Sequence, residues 1–449
     1  MGNFLCTIEK CRSERQRGAL VRRTRWARRA LVPVAAVVVI ATLAAGCGSS
    51  SKKGAASAAT SSTTASTSAP KTSRGFDGST ITVAGLGIKS QLPGVEYGAE
   101  ARIKRFNDTR ELPGVTIDYT EYADDKGDPA FALSEARRLV SQTKVFALVG
   151  DSSAVNPGDY FAQNHVPYFG SGYDNTFCSD DPVTTLWGFG YLGCIVASHP
   201  KQLSDTYREF SALVKEKTGK AEPTVAEFSS DTASGRNSAK FAAIQLKGRG
   251  FKVVYAKASV PPPPVPDFTP YVQQLVTSDG GHAPDAVVCL LAIDCLSMYK
   301  GLRAAGYPGF FFTSLYSDAL LGALKGSYVN VSFQPFDQPN AGLTQMRADM
   351  TLVKPDYTID IGVVGGYFAA DMFIAALKLA AKSGGISPEN VQAKAARMTW
   401  EIKGFVGPTI YPEATTHSHG CNALTYDDGT VFKTVEPFSC SDTTWPVTG

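Results

Sequence analysis

The chain has 449 residues, of which 43% are hydrophobic and 19% charged, with a formal net charge of +3. That apolar content excludes a wholly disordered protein, and the length allows two ordinary lobes beyond a leader. Residues 1–46 carry nine basic and two acidic side chains, so removing their +7 from +3 leaves −4 for the remainder, which excludes an electrostatic case for nucleic acid.

The N-terminus reads as an export signal. Residues 1–30 are rich in Arg, and residues 31–45 (LVPVAAVVVIATLAA) are apolar and uncharged. A basic region followed by an apolar run shorter than the ~20 residues of a spanning helix predicts a secretory signal. Leu43-Ala44-Ala45-Gly46-Cys47 resembles the bacterial lipobox, in which cleavage before the Cys is coupled to lipidation of its sulfur. Leu43 stands one place further from the Cys than in the commonest pattern. Cys47 is therefore the expected lipidation site, with an ordinary signal peptide or an uncleaved anchor as the alternative. Val21 is a second candidate start. Residues 48–75 are almost all Ser, Ala, Thr, Gly and Lys, which predicts a flexible tether. The expected location is outside the cell, lipid-anchored to the outer face of the cytoplasmic membrane.

The folded part begins with a predicted strand at 79–86 and a Gly/Ser/Pro loop at 87–94. A helix over 97–107 carries Ala99, Ile103 and Phe106 on one face. Val115, Ile117 and Tyr119 alternate in a strand over 115–122. Asp128 is placed to cap a helix that starts with Pro129 and runs to about Gln142. Residues 145–149 are an uncharged apolar run, as expected of a strand buried on both faces of a parallel sheet. Gly150-Asp151-Ser152-Ser153 breaks it, residues 156–164 carry a helical turn, and a strand at 166–169 ends in Gly170-Ser171-Gly172. Two strands ending in Ser/Gly loops on one sheet edge suit a ligand crevice, although Ser and Gly are also ordinary turn residues.

Residues 178–199 read as a connection between lobes. The alternation then restarts: helix 203–217 stopped by Gly219, strand 224–228, polar loop 229–236, helix 237–247, strand 252–255 and a proline-rich loop at 260–266. Helix 268–275, strand 285–291, helix 296–305 and strand 309–313 follow. Residues 359–381 and 388–398 are helical, and 409–449 are loop and strand. This order predicts an α/β protein of two similar lobes.

Of nine cysteines, Cys6 and Cys11 lie in the leader and Cys47 at its end. Six remain, and export makes pairing the default. Proximity suggests Cys178–Cys194, Cys289–Cys295 and Cys421–Cys440 out of the 15 connectivities that six cysteines allow. Cys421 and Cys440 flank a turn at Asp427-Asp428-Gly429. No Cys-x-x-Cys occurs, so neither a zinc ribbon nor a dithiol redox site is indicated. Gly-x-Ser-x-Gly and His-Glu-x-x-His are also missing, which weakens an exported hydrolase. His417-x-His419 is expected to be an exposed loop pair rather than a metal site, and His165, His199 and His282 loop or surface residues. Neither a metal nor a cofactor is expected.

In their order along the chain, these pieces resemble the type I periplasmic solute-binding proteins of the branched-chain amino acid (Leu/Ile/Val) class. They are ITVAGLG, EYGAEARIKRFND, YADDKGDPAFALSEARRLV, KVFALVG and VPYFGSG, then DFTPYVQQL, DAVVCLL, LRAAGYPGFFFTS, GGYFAADMFIAAL and GFVGPTIYP. The resemblance implies two Rossmann-like lobes, three interlobe crossovers and a ligand cleft between the lobes. It places a signal peptide at 1–46, the lipidated Cys and tether at 47–78, lobe 1 at 79–195 with 334–408, and lobe 2 at 196–333 with 409–449. It implies a monomer without catalysis that delivers a small polar molecule to the permease of an ABC importer. A lipid-anchored sensor that presents its ligand to a membrane receptor is the alternative.

By the same resemblance the ligand meets Tyr97, Ser152, Ser153, Ser171, Gly172 and Tyr173 of the first lobe. From the second come Asp231, Thr232 and Ser234, the 292–294 loop, and Tyr316 with Asp318. The family's ammonium-binding Glu falls on Leu315, its carboxylate-binding Thr on Tyr173, and a Tyr on Ser234. An aliphatic amino acid is therefore not expected unless Asp318 or Asp231 substitutes for the counter-charge; each is more often a helix cap. Tyr97, Tyr173 and Tyr316 would suit a ring- or amide-bearing ligand, and would equally suit a core.

Overall fold

The computed structural model describes residues 72–179, 185–195, 201–262 and 265–447. The signal, Cys47, most of the tether and His199 lie outside the described residues. The first sheet is parallel throughout. It contains β1 (Thr80–Gly87), α1 (Gly94–Asp108), β2 (Thr116–Asp124), α2 (Pro129–Arg138), β3 (Ala147–Asp151), α3 (Gly158–Gln163), β4 (Tyr168–Gly170) and β5 (Gly188–Gly190). Its strand order is β2-β1-β3-β4-β5. β3 is buried along its whole length, as a central parallel strand with covered faces must be.

Asp128 caps α2, accepting the Ala130 and Phe131 N–H groups at 2.8 and 3.0 Å, and Pro129 follows at the first position. The α-helix stops at Arg138 rather than near Gln142. Residues Leu139–Thr143 form a π-turn that ends on Lys144 at φ 57°. The segment 178–199, expected to be a plain connection, contains β5, which pairs with β4 through Phe169 and Phe189. Three residues with a glycine at each end gave no strand signal of their own.

The chain then enters the second lobe through β6 (Gln202–Ser204) and α4 (Arg208–Thr218), where a single helix over 203–217 was expected. β6 exists because it pairs with the far C-terminus, a partner no local pattern reveals. The lobe continues with β7 (Thr224–Ser230), α5 (Ala233–Gly248), β8 (Lys252–Val260), α6 (Thr269–Val276), β9 (Ala286–Leu290), α7 (Cys295–Ala304), β10 (Phe310–Thr313) and β11 (Tyr328–Val331). α5 starts four residues earlier than expected, since Thr232 accepts the Gly235 N–H at 3.0 Å and caps it there.

Next come α8 (Ala341–Thr351), α9 (Ile361–Lys382), α10 (Pro388–Ala395), β12 (Thr399–Ile402) and β13 (Val406–Ile410). These pack with the first lobe: α9 lies on α1, β3 and β4. Gly98 and Gly366 permit this approach, for a Cβ on Gly98 would lie 2.0 Å from the Val363 carbonyl oxygen and one on Gly366 1.9 Å from that of Val95. α9 is long and apolar enough to cross a membrane by composition, but 78% of its most apolar window is buried inside the protein. It is a core helix. Finally β14 (Cys421–Asp427), β15 (Phe432–Cys440) and β16 (Thr444–Pro446) return to the second lobe. The second sheet has the order β15-β14-β11-β10-β9-β7-β8, with β14 and β15 antiparallel. The fold is α/β with two Rossmann-like lobes joined by three crossovers.

The cysteines pair as Cys178–Cys194, Cys289–Cys295 and Cys421–Cys440. The last pair faces across the β14–β15 ladder, where the hairpin register brings the two residues opposite each other.

Candidate functional site

The first lobe meets the cleft through the loops after β3 and β4. Asp151 ends β3 and is 1% exposed. Its Oδ1 accepts the Ser153 N–H at 3.1 Å, and Asn156 donates to its Oδ2. Ser153 is itself buried, with its hydroxyl accepting the Val155 N–H at 3.2 Å. Ser152 shares a short hydrogen bond with the Tyr122 hydroxyl. Ser171 donates its N–H to the Asp151 carbonyl at 3.2 Å, while its hydroxyl is buried and unpartnered. Gly172 sits at φ +87°, and a Cβ there would lie 2.1 Å from the Gly193 carbonyl oxygen. The tight turn thus demands glycine. Tyr173 follows, partly exposed.

This brings Ser152, Ser153 and Ser171 beside one buried acid, with Gly172 and Tyr173 following Ser171 in the same turn. The sequence reading missed the acid cluster itself. Asp125 is fully buried, accepts the Gly127 N–H at 2.8 Å and leaves Oδ2 without a partner. Asp174 accepts the Thr176 N–H at 2.8 Å. Burial raises all three carboxyls. Asp151 lies well above the ordinary carboxylate range, with Asp174 and Asp125 pushing it further, and Asp174 is pushed up to about 6. The only sequence signal was Asp in two polar turns, where turn chemistry alone explains it.

Other expected site residues are spent elsewhere. Tyr97 lies on α1, edge-on to Tyr357 at 4.9 Å between centroids, under Lys354. Tyr316 is 1% exposed, packed against Phe333, Phe336 and Phe432, and its hydroxyl accepts the Phe336 N–H at 2.7 Å. It is a core residue and offers no face to a cleft ligand, correcting that expectation. Thr232 is occupied as the α5 cap. Asp231 caps nothing: it pairs with Arg236 at 2.5 Å on the surface. Nor does Asp318, since Ser317 caps the short turn that begins there, with Asp318 exposed. Ser234 is half-buried in the first turn of α5, and the 292–294 segment is a 3-10 turn.

A cavity of about 190 Å³ opens beside Tyr173 and extends under the second sheet, on the face that α4 and α5 cover. Its walls include Tyr207, Phe241 and Phe312, and also His417 and His419. The histidine pair is therefore not an exposed loop pair. Both residues are half-buried, and burial pushes His419 down to about 4. Among the described residues no group of three or more His, Cys, Asp or Glu is placed to hold a metal ion. His165 stacks on Trp187 at the surface, and His282 lies in an exposed turn. Behind Tyr207, Glu227 on β7 is fully buried with neither carboxylate oxygen partnered, and burial pushes it up to about 8.

One parallel and one mixed sheet, with polar loops after their parallel strands, make a two-lobed α/β fold. A family model described as periplasmic binding protein matches residues 78–430, and the chain belongs to that family. No curated protein matches the chain. Solved structures of similar fold include a branched-chain amino acid ABC transporter from Thermus thermophilus with bound valine, at 16% identity over 81% of this chain and 96% of that chain, TM-score 0.64. A fatty acid ABC transporter substrate-binding protein from Thermomonospora curvata aligns at 16% identity over 83% and 95%, TM-score 0.66. A solute-binding protein from R. palustris in complex with 4-hydroxybenzoate aligns at 18% over 80% and 97%, TM-score 0.63.

Proposed function

We propose that this protein captures a small molecule between its lobes outside the cell and delivers it to the permease of an ABC importer. The lobes divide as 79–195 with 334–408 and 196–333 with 409–449, and Cys47 carries the lipid that holds the protein on the membrane. The observation that carries the reading is the cavity, which takes Tyr173 from the first lobe and Tyr207 and Phe241 from the second. A molecule held by both lobes favours the closed arrangement, because closure is what creates its second set of contacts. Tyr173, Leu192 and Ile195 supply the first-lobe side of that cavity, and Ser153 and Ser171 are proposed to reach the ligand from the neighbouring loops. Ser171 matters most there, since its hydroxyl is buried with no other partner. The protein performs no chemistry on its ligand.

The resemblance to amino-acid binders does not extend to the ammonium site. Leu315 provides no charge, and Asp231 is already paired with Arg236. Leucine, isoleucine and valine are therefore not the expected ligands. The test is a thermal-shift screen of amino acids, amides, small aromatic acids and polyols, since a ligand that binds only the folded state raises the melting temperature. Ser171→Ala is expected to weaken the best hit roughly tenfold. Turnover of that hit, lost in Ser171→Ala, would contradict capture without catalysis. For the anchor, Cys47→Ala should release the protein into the medium or leave it unprocessed; unchanged membrane fractionation would remove the lipoprotein reading.

A further inference from the structure

The two lobes touch unevenly. In the second lobe, 231–236 follow β7, 292–294 follow β9 and 314–318 follow β10. Among the described residues no hydrogen bond, ion pair or ring contact joins 231–236 or 292–294 to the first lobe. The third loop is bonded to it. The Ile361 N–H, at the start of α9, donates to the Tyr316 carbonyl at 3.2 Å, and Ser317 forms a single bridge pair with Asp360, the α9 cap. The Tyr316 hydroxyl accepts the Phe336 N–H at 2.7 Å, just past the second crossover. Nearby, Asp337 accepts the Thr434 N–H of β15 at 2.8 Å.

The Tyr316 side chain continues the link. Its ring centroid lies 4.8 Å from Phe336 of the first lobe, and 5.8 and 4.9 Å from Phe333 and Phe432 of the second. Phe333 meets Phe368 on α9 at 6.1 Å and Phe405 at 6.0 Å. Tyr316, 1% exposed, thereby shares one apolar core with Val83, Phe169 and Phe373 of the first lobe. Parting the lobes here would bring these rings into water and take the Phe336 and Ile361 N–H groups from their acceptors. Parting them at 231–236 or 292–294 breaks no such bond. Strand order agrees. β10 pairs with β11, whose end leads into the second crossover, whereas β7 and β8 close the far edge of the second sheet. In the first sheet β5 stands at the crossover edge and β2 at the far one.

We propose that the lobes pivot on Tyr316: the loop after β10 stays seated on α9 and Phe336 while the far loops swing apart and together. This deepens the solute-capture reading and rests on its division into lobes. Tyr316 is then a positioning residue, which acts on a ligand through the lobe angle and not by touching it. The test is pulsed spin-label distance measurement on the mature chain without ligand. Cys47→Ser leaves the introduced cysteines as the free thiols, since the other six are paired. Ala319→Cys with Thr358→Cys spans the seam, and Ala130→Cys with Ala233→Cys joins the far edges; all four positions are exposed. The seam pair is expected to give one narrow distance, and the far pair two peaks or a distribution roughly twofold broader. Tyr316→Ala should broaden the seam pair to the width of the far pair. Tyr316→Phe keeps the ring and loses the acceptor, so hydrogen exchange at the Phe336 amide should rise about tenfold.

Three results overturn the inference: a seam pair as broad as the far pair, both pairs equally narrow, or a folded Tyr316→Ala whose seam pair stays narrow. Should Tyr316→Ala not fold, the two pairs in the parent decide alone. A thermal-shift screen in which no small molecule raises the melting temperature removes solute capture and leaves the pivot standing. A broad seam removes the pivot and leaves capture standing.

Discussion

Both lobes bury paired and unpaired acids, and Arg102 in the first and Glu227 in the second show the two extremes. In the first, Arg102 is 4% exposed and fully engaged: Nε donates to Asp371 at 2.6 Å and Nη1 to Glu111 at 2.7 Å, with Lys378 closing on Glu111 at 2.9 Å. Desolvation alone would lower the guanidinium pKa, but Asp371 and Glu111 more than offset it and the net shift is upward. The network ties α1 to α9. In the second lobe, Glu227 is fully buried with no partner at all and is held protonated instead. The first lobe thus uses paired charge for cohesion and keeps raised acids at its cleft edge. The second presents an uncharged cavity.

The largest expected effect comes from breaking the paired side. Arg102→Ala leaves Glu111 and Asp371 without their shared partner and should cost about 3–5 kcal/mol in denaturant unfolding. A loss below about 1 kcal/mol would mean that the network is a surface-type set with little net value. Next, replacing Cys421 and Cys440 together by Ser opens a loop with a sequence separation of 19 and should cost about 3 kcal/mol. The β14–β15 hairpin, which walls the cavity through Asn422, should loosen first. An unchanged unfolding midpoint under reducing and oxidising conditions would show that the bond contributes nothing.

The unpaired side should respond with the opposite sign. Glu227 titrates at about 8 in the folded state, against about 4.3 when unfolded. The folded protein binds that proton more tightly, so the associated stability is fully present below about pH 4 and is lost as pH rises through about 8. Glu227→Gln should therefore stabilise at pH 8 by on the order of 2 kcal/mol and flatten the fall in melting temperature across that window. A destabilising Gln at pH 8 would show that the carboxylate has a partner when ionised. Asp174 gives the smallest effect. Its carboxyl titrates at about 6, against about 3.9 unfolded, so its stability is lost as pH rises from about 4 through 6. Asp174→Asn keeps an oxygen for the Thr176 N–H and should remove that slope, shifting the midpoint by about a degree or two. An unchanged slope would show that Asp125 and Asp151 carry the titration.

The alternation of β and α elements was legible because buried parallel strands and amphipathic helices leave local patterns of charge and apolar spacing. Asp128 before Pro129 marked the start of α2 for the same reason, since a cap acts within three residues. The pairing of Cys421 with Cys440 could be proposed because a hairpin turn lies between them. β5 and β6 could not be read. Each is three residues long and owes its existence to a distant partner, β4 in one case and the C-terminal β16 in the other. The site divided along the same line. Ser171 and Gly172 were visible as a turn at a strand end, but whether a tyrosine faces a cleft or a core depends on what the rest of the chain packs against it. Tyr316 was consumed by Phe333, Phe336 and Phe432. His419 was brought into a cavity wall by the return of the chain at β14. Sequence by itself determined the class of fold and where the polar loops lie, because those follow from interactions a few residues apart. Tertiary structure alone decided which polar atoms were left buried without partners, because that depends on contacts between segments hundreds of residues apart.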